Sequence, residues 1–213
     1  MRIFWMLQVA ALLLLPSGIY AYRHRRDRDR AVRGAGLVLA ITFTLLFGAF
    51  IAGETLSDGR GWSSVGLTAL WLLPMLGLSL LAWYRPQSAA FVLTSLLAIV
   101  AAIYLWSAFD SIGWRSFENA QGPVRGVISF ALVAPISALG WSKPRLAGAM
   151  LLVLAALPMV VVLTGLLFSD RTQGWPLLLV SAPAGLIGLL YLASIRLQTA
   201  PSASEPTAPA LST

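Results

Sequence analysis

Seven stretches of the chain contain no Asp, Glu, Lys or Arg and consist mainly of apolar residues. A helix rises about 1.5 Å per residue, so each stretch is close to the length that crosses a hydrocarbon layer roughly 30 Å thick. The pattern predicts an all-α fold, a polytopic bundle of seven transmembrane helices in one domain over residues 1–198. The predicted spans are about 3–22, 34–53, 65–84, 89–109, 126–142, 146–168 and 176–195.

The remaining residues leave no room for a separate soluble domain. Hydrophobic residues make up 58% of the chain and charged residues 11%, whereas about a quarter of the residues in soluble domains are charged. The last segment, 199–213, is rich in Pro, Ser, Ala and Thr. Such a composition cannot bury an apolar core and predicts a disordered tail.

The basic residues are divided unequally between the two sides of the predicted bundle. Short loops rich in Lys and Arg stay in the cytoplasm, so the richer side predicts an N-out, C-in orientation, with the tail in the cytoplasm of a plasma-membrane, multi-pass protein. The poorer side holds five: Arg2, Arg60, Arg115, Arg125 and Arg171. The richer side holds ten: Arg23, Arg25, Arg26, Arg28, Arg30, Arg33, Arg85, Lys143, Arg145 and Arg196.

The first stretch could instead be a secretory signal that is cleaved after Ala21. Two features oppose this alternative. The segment before its apolar run carries Arg2 as its single basic residue. Cleavage would also export the basic sequence that begins at Tyr22, against the positive-inside rule. We therefore favour a transmembrane helix.

Two of the predicted inner turns share a motif. Residues 83–86 read Trp-Tyr-Arg-Pro and residues 141–144 read Trp-Ser-Lys-Pro, and each motif is followed three residues later by Ala89 or Ala147. The two motifs are 58 residues apart, and an Asp–Gly–Trp pattern recurs in the three predicted outer turns, so the chain could consist of three parallel-repeated hairpins plus one closing helix. The two motifs could equally reflect the same preferences arising twice, because Trp favours the headgroup level and Pro favours a helix start.

Ionisable residues inside a bilayer are costly and usually mark a function, and the predicted spans contain none. Their absence argues against proton pumping and against acid–base catalysis inside the membrane. The chain has no cysteine and one histidine, His24, so disulfides, a thiol nucleophile and a bis-histidine haem site are excluded. The sequence therefore predicts no cofactor, no metal and no enzymatic activity.

An acidic rim on the outer side is the weak candidate for chemistry. Hard cations prefer carboxylate oxygens, so the rim could hold a cation, or serve a membrane-embedded transferase, if its members converge. A solvated rim is the more ordinary interpretation, and we favour it. The members are Glu54, Asp58, Asp110 and Asp170.

A run of arginines beside the second span predicts contact with anionic lipid headgroups at the inner face. The net charge is +7, and because this run lies next to the membrane, lipid rather than nucleic acid is the expected counter-charge. The run consists of Arg23, Arg25, Arg26, Arg28, Arg30 and Arg33.

Prolines inside the spans predict helix kinks, because each removes a backbone hydrogen bond. Kinked helices could frame a pocket for an uncharged or lipidic substrate, although Pro is also commoner in membrane helices than in soluble ones. Besides Pro16, the kink sites are Pro74, Pro135, Pro158 and Pro183.

Small residues four apart predict faces that pack against neighbouring helices within the bundle. Tyrosines near the span ends predict contacts at the inner interface. The small pairs are Gly48 with Ala52, Ala49 with Gly53, Ala98 with Ala102, Ser181 with Gly185 and Ala184 with Gly188. The inner tyrosines are Tyr20, Tyr22, Tyr84 and Tyr191.

Residues 53–56 (Gly-Glu-Thr-Leu), 71–74 (Trp-Leu-Leu-Pro) and 82–86 (Ala-Trp-Tyr-Arg-Pro) carry a resemblance. This part of the chain resembles small multi-pass bacterial membrane proteins of unknown function. The resemblance implies a bacterial plasma membrane and no particular activity. We expect a structural or accessory membrane subunit with a possible membrane-protein partner, or alternatively a small permease or exporter for an uncharged or lipidic substrate.

Overall fold

The fold is all-α. A computed structural model describes residues 2–24, 27–57, 62–109, 113, 117, 124–168 and 178–199. Each predicted span corresponds to one of seven long helices in this part of the chain. Of the predicted tail 199–213, Thr199 is the last residue of the final helix and the rest lies outside the described residues. The helices are α1 (Arg2–Arg23), α2 (Arg28–Ser57), α3 (Trp62–Tyr84), α4 (Pro86–Phe109), α5 (Val124–Gly140), α6 (Pro144–Phe168) and α7 (Leu178–Thr199).

Three of the helices contain segments that are long and apolar enough to cross a membrane. These segments are Arg28–Gly53 in α2, Pro86–Phe109 in α4 and Pro144–Leu163 in α6. Shorter apolar helical segments lie in α3, α5 and α7, at Thr68–Tyr84, Arg125–Gly140 and Ser181–Leu197.

Helix α5 lies at the centre of the bundle. It contacts α2, α3, α4, α6 and α7, whereas α1 packs mainly against α2 at the periphery. Phe130, Val133, Ile136 and Leu139 of α5 are fully buried. Residues three apart are offset by about 60° around an α-helix, so these four span about half of its circumference, and neighbouring helices cover that half.

The turns that join α1 to α2, α3 to α4 and α5 to α6 lie together at one end, which we call the basic end. The ring of Tyr20 covers Gly34, and the ring of Tyr191 lies beside both Gly36 and Gly140. The indole rings of Trp83 and Trp141 stack on each other. We call the other end of the helices the opposite end.

Helix α2 begins earlier than its charge-free stretch suggests. It starts at Arg28, six residues before the predicted span, so that Arg28, Arg30 and Arg33 lie in its first two turns. The amide of Ala31 donates to the Asp27 carbonyl at 2.8 Å. Asp29 pairs with Arg33 one turn later at 2.6 Å. Local pairing of charges thus extends this helix beyond its apolar part.

Helices α6 and α7 approach each other closely through a pair of glycines. A Cβ added at Gly188 would lie 3.0 Å from the Gly148 carbonyl oxygen, and one added at Gly148 would lie 3.0 Å from the Gly188 oxygen. The pair Ala184 and Gly188 therefore faces a neighbour, as predicted. The pair formed by Ala98 and Ala102 does not, because both residues are exposed on the outer face of α4.

Candidate functional site

At the opposite end, four residues form a buried polar cluster between α4 and α5: Tyr104, Ser107, Arg125 and Ser129. The Tyr104 hydroxyl lies 2.8 Å from the Ser129 hydroxyl, and it also donates to the Arg125 carbonyl at 3.3 Å. The Arg125 guanidinium donates to the Ser107 hydroxyl at 3.0 Å. The Ser107 hydroxyl in turn donates to the Tyr104 carbonyl at 2.7 Å.

The burial of its side chains indicates that this polar cluster has a structural role. Tyr104 and Ser107 are 2% exposed and Ser129 is 1% exposed. Buried hydroxyl groups stabilise a fold when they are hydrogen-bonded and cost free energy when they are not. An arginine guanidinium offers N–H donors and no acceptor, so it is not suited to act as a general base for either serine. The polar cluster therefore ties α4 to α5.

Most of the predicted acidic rim falls outside the described residues. Asp58, Asp110 and Asp170 lie there, and Glu54 belongs to α2 with its side chain also outside the described part. Among the residues that are described, no group of three or more His, Cys, Asp or Glu side chains could hold a metal ion. A cation site at the rim stays a prediction.

At the basic end, the two turns that share the Trp-x-cation-Pro motif lie side by side. We call residues 83–86 and 141–144 the paired turns. The Trp83 and Trp141 ring centroids are 6.3 Å apart with an angle of 28° between the ring planes. Stacking at this distance is favourable for aromatic rings. Trp83 remains 53% exposed, so the indole pair presents a face to the surroundings.

The helices that follow the paired turns begin in the same way, although Trp83 still lies within α3 and Trp141 comes after the end of α5. The carbonyl of Arg85 accepts a hydrogen bond from the Ala89 amide, and the carbonyl of Lys143 accepts one from the Ala147 amide, both at 3.0 Å. Proline is the first residue of the following helix in each case, where its missing N–H costs nothing. Ala89 and Ala147 are both fully buried. The 58-residue offset seen in the sequence thus joins equivalent positions of two neighbouring turns.

Basic side chains surround the paired turns without an acidic partner among the described residues. Arg85 and Arg145 are exposed and Lys143 is half-buried. The ion pair found in the described part of the chain joins Asp29 to Arg33, within α2. The cations of the paired turns therefore have no carboxylate counter-charge in the described structure.

The predicted arginine run divides into two kinds of residue. Arg23, Arg28 and Arg30 are exposed, as a residue that binds lipid headgroups should be. Arg33 is different, because its guanidinium donates two hydrogen bonds to Asp29, at 2.9 and 2.6 Å. Its charge is already compensated inside the protein. Arg25 and Arg26 lie outside the described residues.

Tyr191 lies near the basic end, as the sequence indicates, but it is fully buried rather than at the surface. Its hydroxyl donates to the Ser137 carbonyl at 2.7 Å. That carbonyl lies in the last turn of α5, where the Trp141 amide bonds to the Ala138 carbonyl instead. Tyr191 therefore supplies a donor that the end of a helix lacks. A Cβ at Gly140 would overlap its ring.

The prolines do not face one shared space. Pro135 and Pro158 are buried and Pro183 is half-buried, whereas Pro74 is exposed on the outer face of α3. Each lies inside its helix. A pocket framed jointly by α3, α5, α6 and α7 would need Pro74 to point inward, so these prolines do not support it together.

No protein-family model, curated protein or solved structure matches this chain. Its function therefore has to be inferred from its exposed surface, its buried polar contacts and the charges at its two ends.

Proposed function

We propose that all seven helices cross a bacterial plasma membrane and that the protein is a non-enzymatic structural or accessory subunit. One observation carries the membrane part of this proposal. Large apolar side chains are exposed on helices other than the three with long apolar segments. They include Leu12 and Leu15 on α1, Leu70 and Leu73 on α3, and Leu189 on α7, which are 57–71% exposed.

The chemical nature of the exposed residues favours lipid as the surrounding medium. Leu70 is 71% exposed and Phe91 is 76% exposed, and the polar residues Ser129, Ser181 and Ser194 are buried. Exposed apolar area costs about 25 cal/mol per Å² in water, and soluble monomers rarely expose a large contiguous apolar patch. In a bilayer the same surface has no such cost, because lipid tails are as apolar as leucine.

In the proposed orientation the basic end faces the cytoplasm. This follows from the ten basic residues on that side against five on the other, together with the positive-inside rule. The first helix would then begin outside, and the segment 199–213 would lie in the cytoplasm.

The absence of cysteine allows a direct test of the orientation. Ser142→Cys places one thiol in an inner turn and Gln121→Cys places one in the predicted outer loop. A membrane-impermeant maleimide added to intact cells should label Q121C and should label S142C only after permeabilisation. Labelling of S142C in intact cells would contradict the orientation. The unsubstituted chain is the control for background labelling.

The packed centre of the bundle supports a scaffold rather than a carrier. Phe130, at the middle of α5, is fully buried against Phe43, Phe47 and Trp71, with ring centroids 5.5 to 5.9 Å apart. Aromatic packing of this kind fills the space between α2, α3 and α5. A carrier needs a route for substrate past such a centre.

One observation favours the second candidate, a permease or exporter for an uncharged or lipidic substrate. The Trp71 indole nitrogen and the Thr44 hydroxyl are buried and have no hydrogen-bond partner within the described structure. Buried polar groups normally have partners. A neutral substrate with a carbonyl or hydroxyl group could supply them.

Purification from the native membrane in mild detergent separates the two candidates. An accessory subunit should co-purify with a membrane protein at a fixed stoichiometry and should be lost when that partner is deleted. A chain that purifies alone and moves a neutral or lipidic compound across reconstituted vesicles would support the permease instead. In that case Trp71→Phe, which removes the indole donor, should slow transport.

A further inference from the structure

We propose that the paired turns form a binding site for the phosphate headgroup of an anionic phospholipid at the basic end. The site consists of Trp83, Arg85, Trp141 and Lys143. It rests on the proposed placement of the helices in a membrane. It goes beyond diffuse attraction of headgroups by the arginine run, because it names one place where a single lipid is held.

The two stacked turns each carry one cationic residue, Arg85 in the first and Lys143 in the second. Stacking of Trp83 on Trp141 fixes the turns against each other, and each cation follows its tryptophan by two residues. The Arg85 and Lys143 carbonyls accept matching hydrogen bonds from the Ala89 and Ala147 amides, so each cation directly precedes a helix that begins in the same way. Both side chains therefore start from equivalent positions of adjacent turns.

The positive charges of Arg85 and Lys143 favour an anionic ligand. Within the described residues, the acidic side chains at the basic end are Asp27 and Asp29. Asp29 is paired with Arg33, and Asp27 accepts from the Arg30 amide at 3.4 Å. Neither Arg85 nor Lys143 forms an ion pair with them. A phosphate accepts hydrogen bonds from guanidinium and ammonium groups alike.

The surface beside the cations fits the rest of a lipid. Trp83 is 53% exposed and Tyr84 is 77% exposed, and both residue types prefer the headgroup level of a bilayer. Phe91, the sixth residue of α4, is 76% exposed. An anionic head with apolar chains can therefore contact the cations and this apolar surface at once. Free phosphate can contact only the cations.

The test measures lipid retention by the purified, delipidated protein with native mass spectrometry. Phosphatidylglycerol and phosphatidylcholine are added separately. The wild type should retain one phosphatidylglycerol in preference to phosphatidylcholine. In the double variant R85Q/K143Q the affinity for phosphatidylglycerol should fall about 30-fold, because each basic residue near an anionic headgroup contributes about fivefold. R85K/K143R should retain most of the affinity.

The matched control is R145Q/R196Q, which removes two exposed arginines of the same end that belong neither to the proposed site nor to the arginine run. Its affinity should fall less than threefold. Equal losses in the two double variants, or no loss in R85Q/K143Q, would overturn the site. Displacement of the lipid by millimolar inorganic phosphate would also overturn it, since the site would then be a phosphate site. Unchanged thermal unfolding of the variants confirms that the fold is intact.

The lipid-retention experiment and the maleimide-labelling experiment test different claims, so their results can be interpreted separately. If S142C is protected in intact cells and R85Q/K143Q still retains phosphatidylglycerol, the membrane placement stands and the site fails. If S142C is labelled from outside, the proposed orientation fails whatever the lipid retention.

Discussion

Arginine and aromatic residues meet at both ends of the bundle, with different results. In the polar cluster of the opposite end, Arg125 donates a hydrogen bond to Ser107, and the Tyr104 hydroxyl lies 2.8 Å from the Ser129 hydroxyl. Tyr104, Ser107 and Ser129 are at most 2% exposed, and Arg125 is half-buried. In the paired turns of the basic end, Trp83 and Arg85 are exposed. The first arrangement is complete within the protein, and the second presents its charge outward.

The same types of side chain therefore have a structural role at the opposite end and a proposed binding role at the basic end. A buried hydrogen-bonded group contributes to stability, and its loss leaves partners unsatisfied. An exposed cation contributes little to stability but is available to a ligand. Substitutions in the polar cluster should therefore change the free energy of unfolding, whereas those in the paired turns should change lipid binding.

The largest effect is expected for Tyr104→Ala. Removal of a fully buried ring from a packed interior costs about 3–5 kcal/mol, and the hydroxyl of Ser129 also loses its partner. SDS titration of the purified protein in mixed micelles measures this loss of unfolding free energy. Tyr104→Phe, which keeps the ring, is the control and should cost about 1–2 kcal/mol. Equal costs would mean that the ring is not packed as described.

Arg125→Gln is expected to cost about 1.5–3 kcal/mol, because hydrogen bonds to charged groups contribute that much. Its control is Arg85→Gln, an identical change at an exposed position, which should stay within about 0.5 kcal/mol of the wild type. The same titration compares both. If Arg85→Gln destabilised the protein as strongly as Arg125→Gln, the contrast between the two ends would be lost.

Tyr191→Phe is expected to cost about 1–2 kcal/mol, since the Ser137 carbonyl would lose its buried donor. This variant shows whether the basic end is held together by its interior rather than by the exposed turns. Tyr84→Phe is the matched control, because the Tyr84 side chain is 77% exposed. Its unfolding free energy should not change measurably.

Much of the helical architecture could be predicted from the sequence, because charge-free stretches of span length have few alternatives to a helix. The paired turns were also visible there, since Trp, a cation and Pro recur at positions 83–86 and 141–144. The start of α2 was not, because it depends on capping by Asp27 and on pairing by Asp29.

The direction in which each helix faces could not be predicted. In a span both faces are apolar, so the pattern does not distinguish the lipid side from the interior. Ala98 and Ala102 were therefore expected to face a neighbour and are exposed instead. Tyr191 fits an interface as well as an interior, and its hydrogen bond joins residues 54 positions apart. The polar cluster between α4 and α5 is hidden in the same way, because its contacts between the two helices join residues 18 to 25 positions apart.

The accessibility of spin labels in a bilayer tests most directly whether all seven helices cross it. Labels are attached at Leu12→Cys, Leu73→Cys and Leu189→Cys, near the middle of α1, α3 and α7, where each native side chain is at least 57% exposed. A label at Ser142→Cys is the control. The three leucine sites should be accessible to oxygen and inaccessible to a water-soluble nickel complex, with the reverse at Ser142. Access of the nickel complex to any of the three would contradict a seven-span bundle.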